Sequence, residues 1–191
     1  MLPAGGVEIT PEQFKAAYTP TGQLSIWMTR FGIDPSRSEE MRSIRDTDYV
    51  DLLRNHACWF GGAQALLESL LGKISLGLVT GSWKIYVDEV DARLNFLRYF
   101  DTVVTEDRMG GAGFPKPHPH GLLLATKELG VAPKHCVYIG DMTTDVECAH
   151  RAGMQSFIIN GTFTAKEALQ QSDRSFASLR ELHAALRQEL S

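Results

Sequence analysis

Two aspartates four residues apart, Asp141 and Asp145, stand in the stretch VYIGDMTTDVECAHRAGM, just after an apolar run that turns at Gly140. Two carboxylates at the start of one helix repel each other unless a positive charge lies between them. They are hard oxygen ligands of the kind Mg²⁺ takes, and Mg²⁺ usually binds one or two carboxylates while keeping several waters. Two other spots carry complementary chemistry. Thr80, Gly81 and Ser82 follow the apolar run ISLGLV, so a hydroxyl and free backbone N–H groups meet at a helix start, which suits a phosphate. Lys116, in the loop FPKPHPH, offers a positive charge to phosphate oxygens. A hydroxyl, a lysine and an acidic metal site together are parts of a phosphoryl-transfer centre.

Each part also has a plainer structural role. Thr80 serves as a helix cap, Lys116 as a solvated loop side chain, and Asp145 is favoured near a helix N-terminus by the dipole alone. A strand-end aspartate such as Asp141, following glycine and beside a second aspartate, is harder to assign to structure. The joint placement carries the functional reading. His118 and His120 of KPHPH read as loop histidines, because no third ligand follows at a metal-binding spacing.

The elements that must position these residues alternate. Buried-strand patterns occur at ISLGLVT (74–80), DTVVT (101–105), CVYIG (136–140) and SFIIN (156–160). Helical patterns lie between them: 82–97 with Ser82 as N-cap, 119–130 closed by Gly130, and 144–153 with a Thr144/Glu147 capping box. A last helix is capped by Ser178 and Glu181. Such alternation predicts an α/β fold with a Rossmann-like parallel sheet covered on both faces, whose ligands bind beyond the carboxyl ends of the strands. The first 57 residues read instead as helical, with helix starts at Thr10-Pro11-Glu12-Gln13 and Asp34-Pro35. The expected division is a helical segment over 1–57 and an α/β core over 58–191.

Composition narrows the class. The 191 residues are 43% hydrophobic and 22% charged with a net charge of −4, and no basic stripe points to nucleic acid. Cys58, Cys136 and Cys148 are scattered without CxxC spacing, which argues against a zinc site or disulfide framework and for a reducing cytoplasm. No apolar run approaches the ~20 residues that span a bilayer, so no membrane partner is expected.

The chain resembles the haloacid dehalogenase-like superfamily, specifically its helical-cap phosphatases of the phosphoglycolate phosphatase and β-phosphoglucomutase type. LGLVTGS is similar to the second family motif, FPKPHPHGLLLA to the third, and IGDMTTDVECAHRAGM to the fourth. The resemblance implies Thr80, with Gly81 and Ser82, as phosphate-binding groups and Thr80 and Lys116 as catalytic residues. It implies Asp141 as a Mg²⁺ ligand, Asp145 supporting the metal, and a small phosphorylated metabolite as substrate. Residues 1–57 then correspond to an incomplete cap.

One departure is large. Members of the family attack phosphate with an aspartate from a first motif, an apolar strand ending in Asp-x-Asp-Gly, which lies in the sheet between the strands 74–80 and 136–140. The chain's one Asp-x-Asp, Asp46-Thr47-Asp48, lacks the following glycine and runs into YVDLLRNHA, which reads as helix. The nucleophile is therefore expected to be missing from this chain. Two outcomes for the sheet follow, that the flanking strands close up and pair or that another segment fills the lane; the third expectation is that the sequence is a shortened version of a longer protein. The competing function is a catalytically silent module that binds phosphate or a partner.

Overall fold

The computed structural model describes Thr10, Glu12, Gln13, residues 28–110 and residues 113–190. The chain forms two compact units, Met1–His56 and Ala57–Ser191.

In the first unit the expected caps are present. Thr10 N–H donates to Gln13 Oε1 (2.9 Å) and Gln13 N–H to Thr10 Oγ1 (3.2 Å), the reciprocal pair that satisfies two free donors at a helix start. Residues 14–27, with the rest of that predicted helix, lie outside the described residues. Asp34 accepts from Ser36 N–H at 2.9 Å and Pro35 opens a short 3₁₀ turn. Helix α1 (Ser38–His56) follows. Every regular element among the described residues before Ala57 is helical. Asp46 and Asp48 sit in the body of α1, with Asp46 paired to Arg45, so Asp46-Thr47-Asp48 does not end a strand.

The second unit begins with α2 (Ala63–Leu70) and then alternates: β1 (Gly77–Val79), α3 (Lys84–Leu94), β2 (Thr102–Val104), α4 (His120–Leu129), β3 (Val137–Gly140), α5 (Thr143–Ala152), β4 (Gln155–Ile159), α6 (Lys166–Gln171), β5 (Arg174–Phe176) and α7 (Leu179–Glu189). All strand pairs are parallel, as βαβ connections require. Gly130 closes α4 at φ 67°, and Ser178 caps α7 by accepting from Glu181 N–H, as the sequence predicts.

Two helix starts differ from expectation. Ser82 does not cap α3: the helix begins at Lys84, and Asp107 Oδ2, from beyond β2, accepts the Lys84 N–H. A carboxylate from a neighbouring loop has replaced the local cap. Likewise α5 starts at Thr143 rather than Thr144. Its reach-back acid is Asp145, which accepts the Met142 N–H at 3.0 Å, so the predicted Thr144/Glu147 box does not form.

The strands make two sheets, β1–β2 and β3–β4–β5. Neither expected outcome for the lane is seen among the described residues: β1 and β3 do not pair, and no third strand joins them. Val137 and Ile139 on β3 stay 42% and 39% exposed. Side chains connect the sheets instead. One cluster joins Val79 of β1 to Tyr138 of β3 through Leu122, Cys148, Ala149, Ala152 and Met154. Another packs Leu66 and Leu70 of α2 on Phe157, Phe176 and Leu182, with Leu76 at its margin. Gly121, in the first turn of α4, is what lets that helix reach β1. A Cβ there would lie 2.5 Å from Met109 Sδ and 2.9 Å from Val79 Cγ1.

Candidate functional site

Three loops after strands carry the residues singled out by their chemistry. The turn after β3 is the tightest. A Cβ on Gly140 would lie 2.5 Å from the Asp145 Cβ, Cγ and Oδ2 atoms, so only glycine lets Asp145 fold back over the strand end. Asp145 is 3% exposed, and both its oxygens are engaged. Oδ2 accepts the Asp141 and Met142 N–H groups at 3.1 and 3.0 Å. Oδ1 accepts from Lys116 Nζ at 2.8 Å and from the Tyr138 hydroxyl at 3.4 Å.

Lys116 is brought to this turn by a loop stitched onto α5. Cys148 Sγ donates to His118 O, and an Arg151 N–H donates to Pro117 O. The ammonium also stands 5.2 Å from the centre of the Tyr138 ring. Burial works against its charge, but Tyr138 and Asp145 outweigh that and hold the lysine above its ordinary value. Burial pushes the Tyr138 phenol up to about 12 and the Cys148 thiol up to about 11, so neither supplies an anion near neutrality.

Asp141 is different. Among the described residues no other residue donates a hydrogen bond to its side chain, and its position is exposed at the mouth of the turn. Partial desolvation and the neighbouring Asp145 raise its carboxyl above the usual range, and Lys116 offsets only part of that. A carboxylate left unpaired beside another is a place for a cation. Among the described residues no cluster of three or more His, Cys, Asp or Glu side chains forms. Any ion here would therefore rely on Asp141 and water, with Asp145 orienting the turn from behind rather than binding directly.

Thr80, Gly81 and Ser82 follow β1, in the other sheet. Thr80 N–H donates to Val104 O at 2.9 Å, and Ser82 N–H donates to Thr80 Oγ1 at 3.1 Å. The Thr80 hydroxyl proton and the Gly81 N–H find no acceptor among the described residues, so this loop presents two donors. The structure thus brings Lys116, Asp141 and Asp145 into one constellation. No hydrogen bond or ion pair joins Thr80, Gly81 or Ser82 to it among the described residues.

Sequence reasoning missed Glu106, whose carboxyl Oε2 lies 3.8 Å from the Cβ position of Gly81. It also missed Ser156, His150 and Asp173, which meet at the ends of α5, β4 and β5. His150 Nε2 lies 3.0 Å from Asp173 Oδ2 and 3.1 Å from Ser156 Oγ. Acid and hydroxyl share one ring nitrogen, whereas a nucleophilic relay needs them on opposite nitrogens. This cluster is a structural clasp. His118 and His120 pack at a tilt against Phe114, with ring centroids 4.7 and 4.6 Å away, and among the described residues they join no group of three or more His, Cys, Asp or Glu side chains.

Residues 4–159 match the family described as haloacid dehalogenase-like hydrolase. The phosphoglycolate phosphatase of Escherichia coli (strain K12) is 30% identical over 149 residues, which is 76% of this chain and 58% of that protein. The chain thus spans less than two thirds of the length of the curated relatives it matches. A haloacid dehalogenase-like protein of Agrobacterium tumefaciens superimposes with a TM-score of 0.76 at 17% identity, covering 100% of this chain and 88% of the other. CbbY of Rhodobacter sphaeroides, solved with xylulose-(1,5)bisphosphate, gives 0.75 at 22% identity, covering 91% and 80%. At these identities the two structures speak to the fold: a Rossmann-like α/β core with a helical cap.

Proposed function

Because the chain belongs to the haloacid dehalogenase-like hydrolase family, we propose that it forms the phosphate- and metal-holding part of a Mg²⁺-dependent phosphomonoester hydrolase. The substrate would be a small phosphorylated metabolite; a relative bears the name phosphoglycolate phosphatase and another structure holds a sugar bisphosphate. The observation that carries the proposal is the closed set Lys116–Asp145–Asp141, in which one carboxylate is spent on structure and the next is left free. In this reading residues 1–57 serve as the cap and 58–191 as the core, in a cytoplasmic protein whose cysteines are free thiols. Among the described residues no helix is long and apolar enough to cross a membrane.

The residues divide the work. Asp141 fits Mg²⁺ as one carboxylate ligand completed by water. The bound ion would neutralise phosphate charge as it builds. Thr80 and Gly81 donate to phosphate oxygens, and Ser82 fixes the threonine hydroxyl by donating to it. Lys116 is held charged and oriented by Asp145, so its field is in place before substrate arrives. The attacking carboxylate is not part of this set. Asp46 and Asp48 lie within α1, which equally favours a silent phosphate-binding module as the second reading.

Turnover of p-nitrophenyl phosphate with Mg²⁺ separates the two. These 191 residues alone should show little or none, since the covalent step lacks its nucleophile. Preceding them with an apolar strand that ends in Asp-x-Asp-Gly should raise turnover by orders of magnitude if the chain is a phosphatase core, and leave it flat if it is a silent module. Robust turnover by the short chain, abolished by Asp46→Asn or Asp48→Asn, would overturn the assignment of the nucleophile.

A further inference from the structure

Beside the loop that presents the Thr80 and Gly81 donors stands a buried acid. Glu106 follows β2 directly and is 8% exposed. Its N–H donates to Ser82 O at 3.1 Å, and its carboxyl points at the same loop, with Oε2 3.8 Å from the Gly81 Cβ position. That carboxyl makes no hydrogen bond or ion pair among the described residues. Beside it Thr105 is 2% exposed and its fully buried Oγ1 has no partner among the described residues, whereas the Glu106 carboxyl oxygens keep some access to solvent. Buried polar groups are normally satisfied, and an unsatisfied one calls for an explanation.

Among the described residues the charged groups around Glu106 do not pair with it. Arg108, two residues on, is spent on Val103 O and Glu128. Lys84, at the start of α3, holds Asp88. Asp107 is itself anionic and caps α3. Among the described residues no cation faces Glu106, and desolvation and then Asp107 push its carboxyl above the ordinary range. An ionised glutamate here would repel any anion bound at the loop. A neutral one is a hydrogen-bond donor.

We propose that Glu106 is a specificity-determining residue of the Thr80–Ser82 loop: as a neutral acid it donates a hydrogen bond to an oxygen of the bound tetrahedral anion, and as a carboxylate it expels that anion. The inference rests on the phosphate-binding role of the loop. It makes anion affinity fall with rising pH through a residue distant from Lys116, Asp141 and Asp145.

Sulfate is a suitable probe, because it remains a dianion across the range in which a glutamate titrates. Its binding is measured by calorimetry at about pH 4, below the ordinary glutamate value, and at about pH 8. The wild type is compared with Glu106→Gln, Glu106→Ala and Thr80→Val, each first checked by its thermal melt. At the lower pH Glu106→Gln should match the wild type, since its amide still donates, and Glu106→Ala should bind about tenfold more weakly. At the higher pH the wild type should fall below both Glu106 variants, while Glu106→Gln changes little. A Glu106→Ala protein that binds as tightly as wild type at about pH 4 overturns the donor role. If sulfate binding is indifferent to Thr80→Val, or absent altogether, the phosphate-binding loop fails and Glu106 with it. Loss on Thr80→Val with no difference among the Glu106 forms sinks only the present inference.

Discussion

The turn after β3 and the loop after β1 solve opposite problems with similar lengths of chain. The β3 turn is closed. Gly140 admits Asp145, Asp145 takes two backbone N–H groups and the Lys116 ammonium, and little around it is left unpaired. The β1 loop is open: one internal bond orients Thr80, and a hydroxyl proton, a backbone N–H and the Glu106 carboxyl have no hydrogen-bond partner among the described residues. A closed turn fixes where charge stands. An open loop keeps hydrogen bonds in reserve for a ligand, at little cost because Gly81 is exposed and Thr80 only half-buried, so water can take the waiting groups. Stability should therefore reside in the first and ligand response in the second.

The largest effect expected from this contrast is on folding. Asp145→Asn strands the Lys116 charge in a largely buried position and should cost about 3–5 kcal/mol in urea unfolding, whereas Thr80→Val should cost about 1 kcal/mol or less. Comparable losses at the two sites would dissolve the distinction. Next in size is Gly140→Ala, whose added Cβ meets Asp145 at 2.5 Å. We expect about 1–3 kcal/mol of destabilisation from such overpacking, together with a weaker Mg²⁺ response because Asp141 shifts with the turn. A full Mg²⁺-induced rise in melting temperature in that variant would show that the turn does not position the metal ligand.

The smallest effect has the most informative sign. Asp141 has a raised carboxyl pKa in the folded state. Its ionisation therefore opposes folding above that value, and the penalty vanishes as pH falls below the unfolded-state value. At neutral pH without Mg²⁺, Asp141→Asn should melt at or slightly above the wild-type temperature, and the difference should close in acid. With Mg²⁺ the wild type should gain stability by mass action and the variant should not. Equal Mg²⁺ responses would remove Asp141 from metal binding.

Much of this was legible in the sequence because it is local. Strand hydrophobicity, the Gly130 stop, the Ser178/Glu181 cap and the Thr10/Gln13 pair each depend on residues within a few positions of one another. What stayed hidden depends on partners far along the chain. Asp107 caps α3 from 23 residues away, and no pattern around Ser82 announces that competitor. β5 has three residues, too few to show a period of two, and it exists because β4 offers an edge. Glu106 carries no motif; it matters because β2 ends beside the β1 loop. In the site the loaded residues could be named, but the division of labour between Asp141 and Asp145 follows from which carboxylate the glycine lets inward.

The separation of β1–β2 from β3–β4–β5 bears on cooperativity. A continuous ladder transmits opening from strand to strand, because each strand's backbone bonds depend on the next. Among the described residues no such bonds cross from β1 to β3. Coupling passes through interdigitated side chains such as Val79, Leu122 and Tyr138. Opening between β1 and β3 would therefore break packing rather than backbone hydrogen bonds, within the one compact unit that Ala57–Ser191 forms.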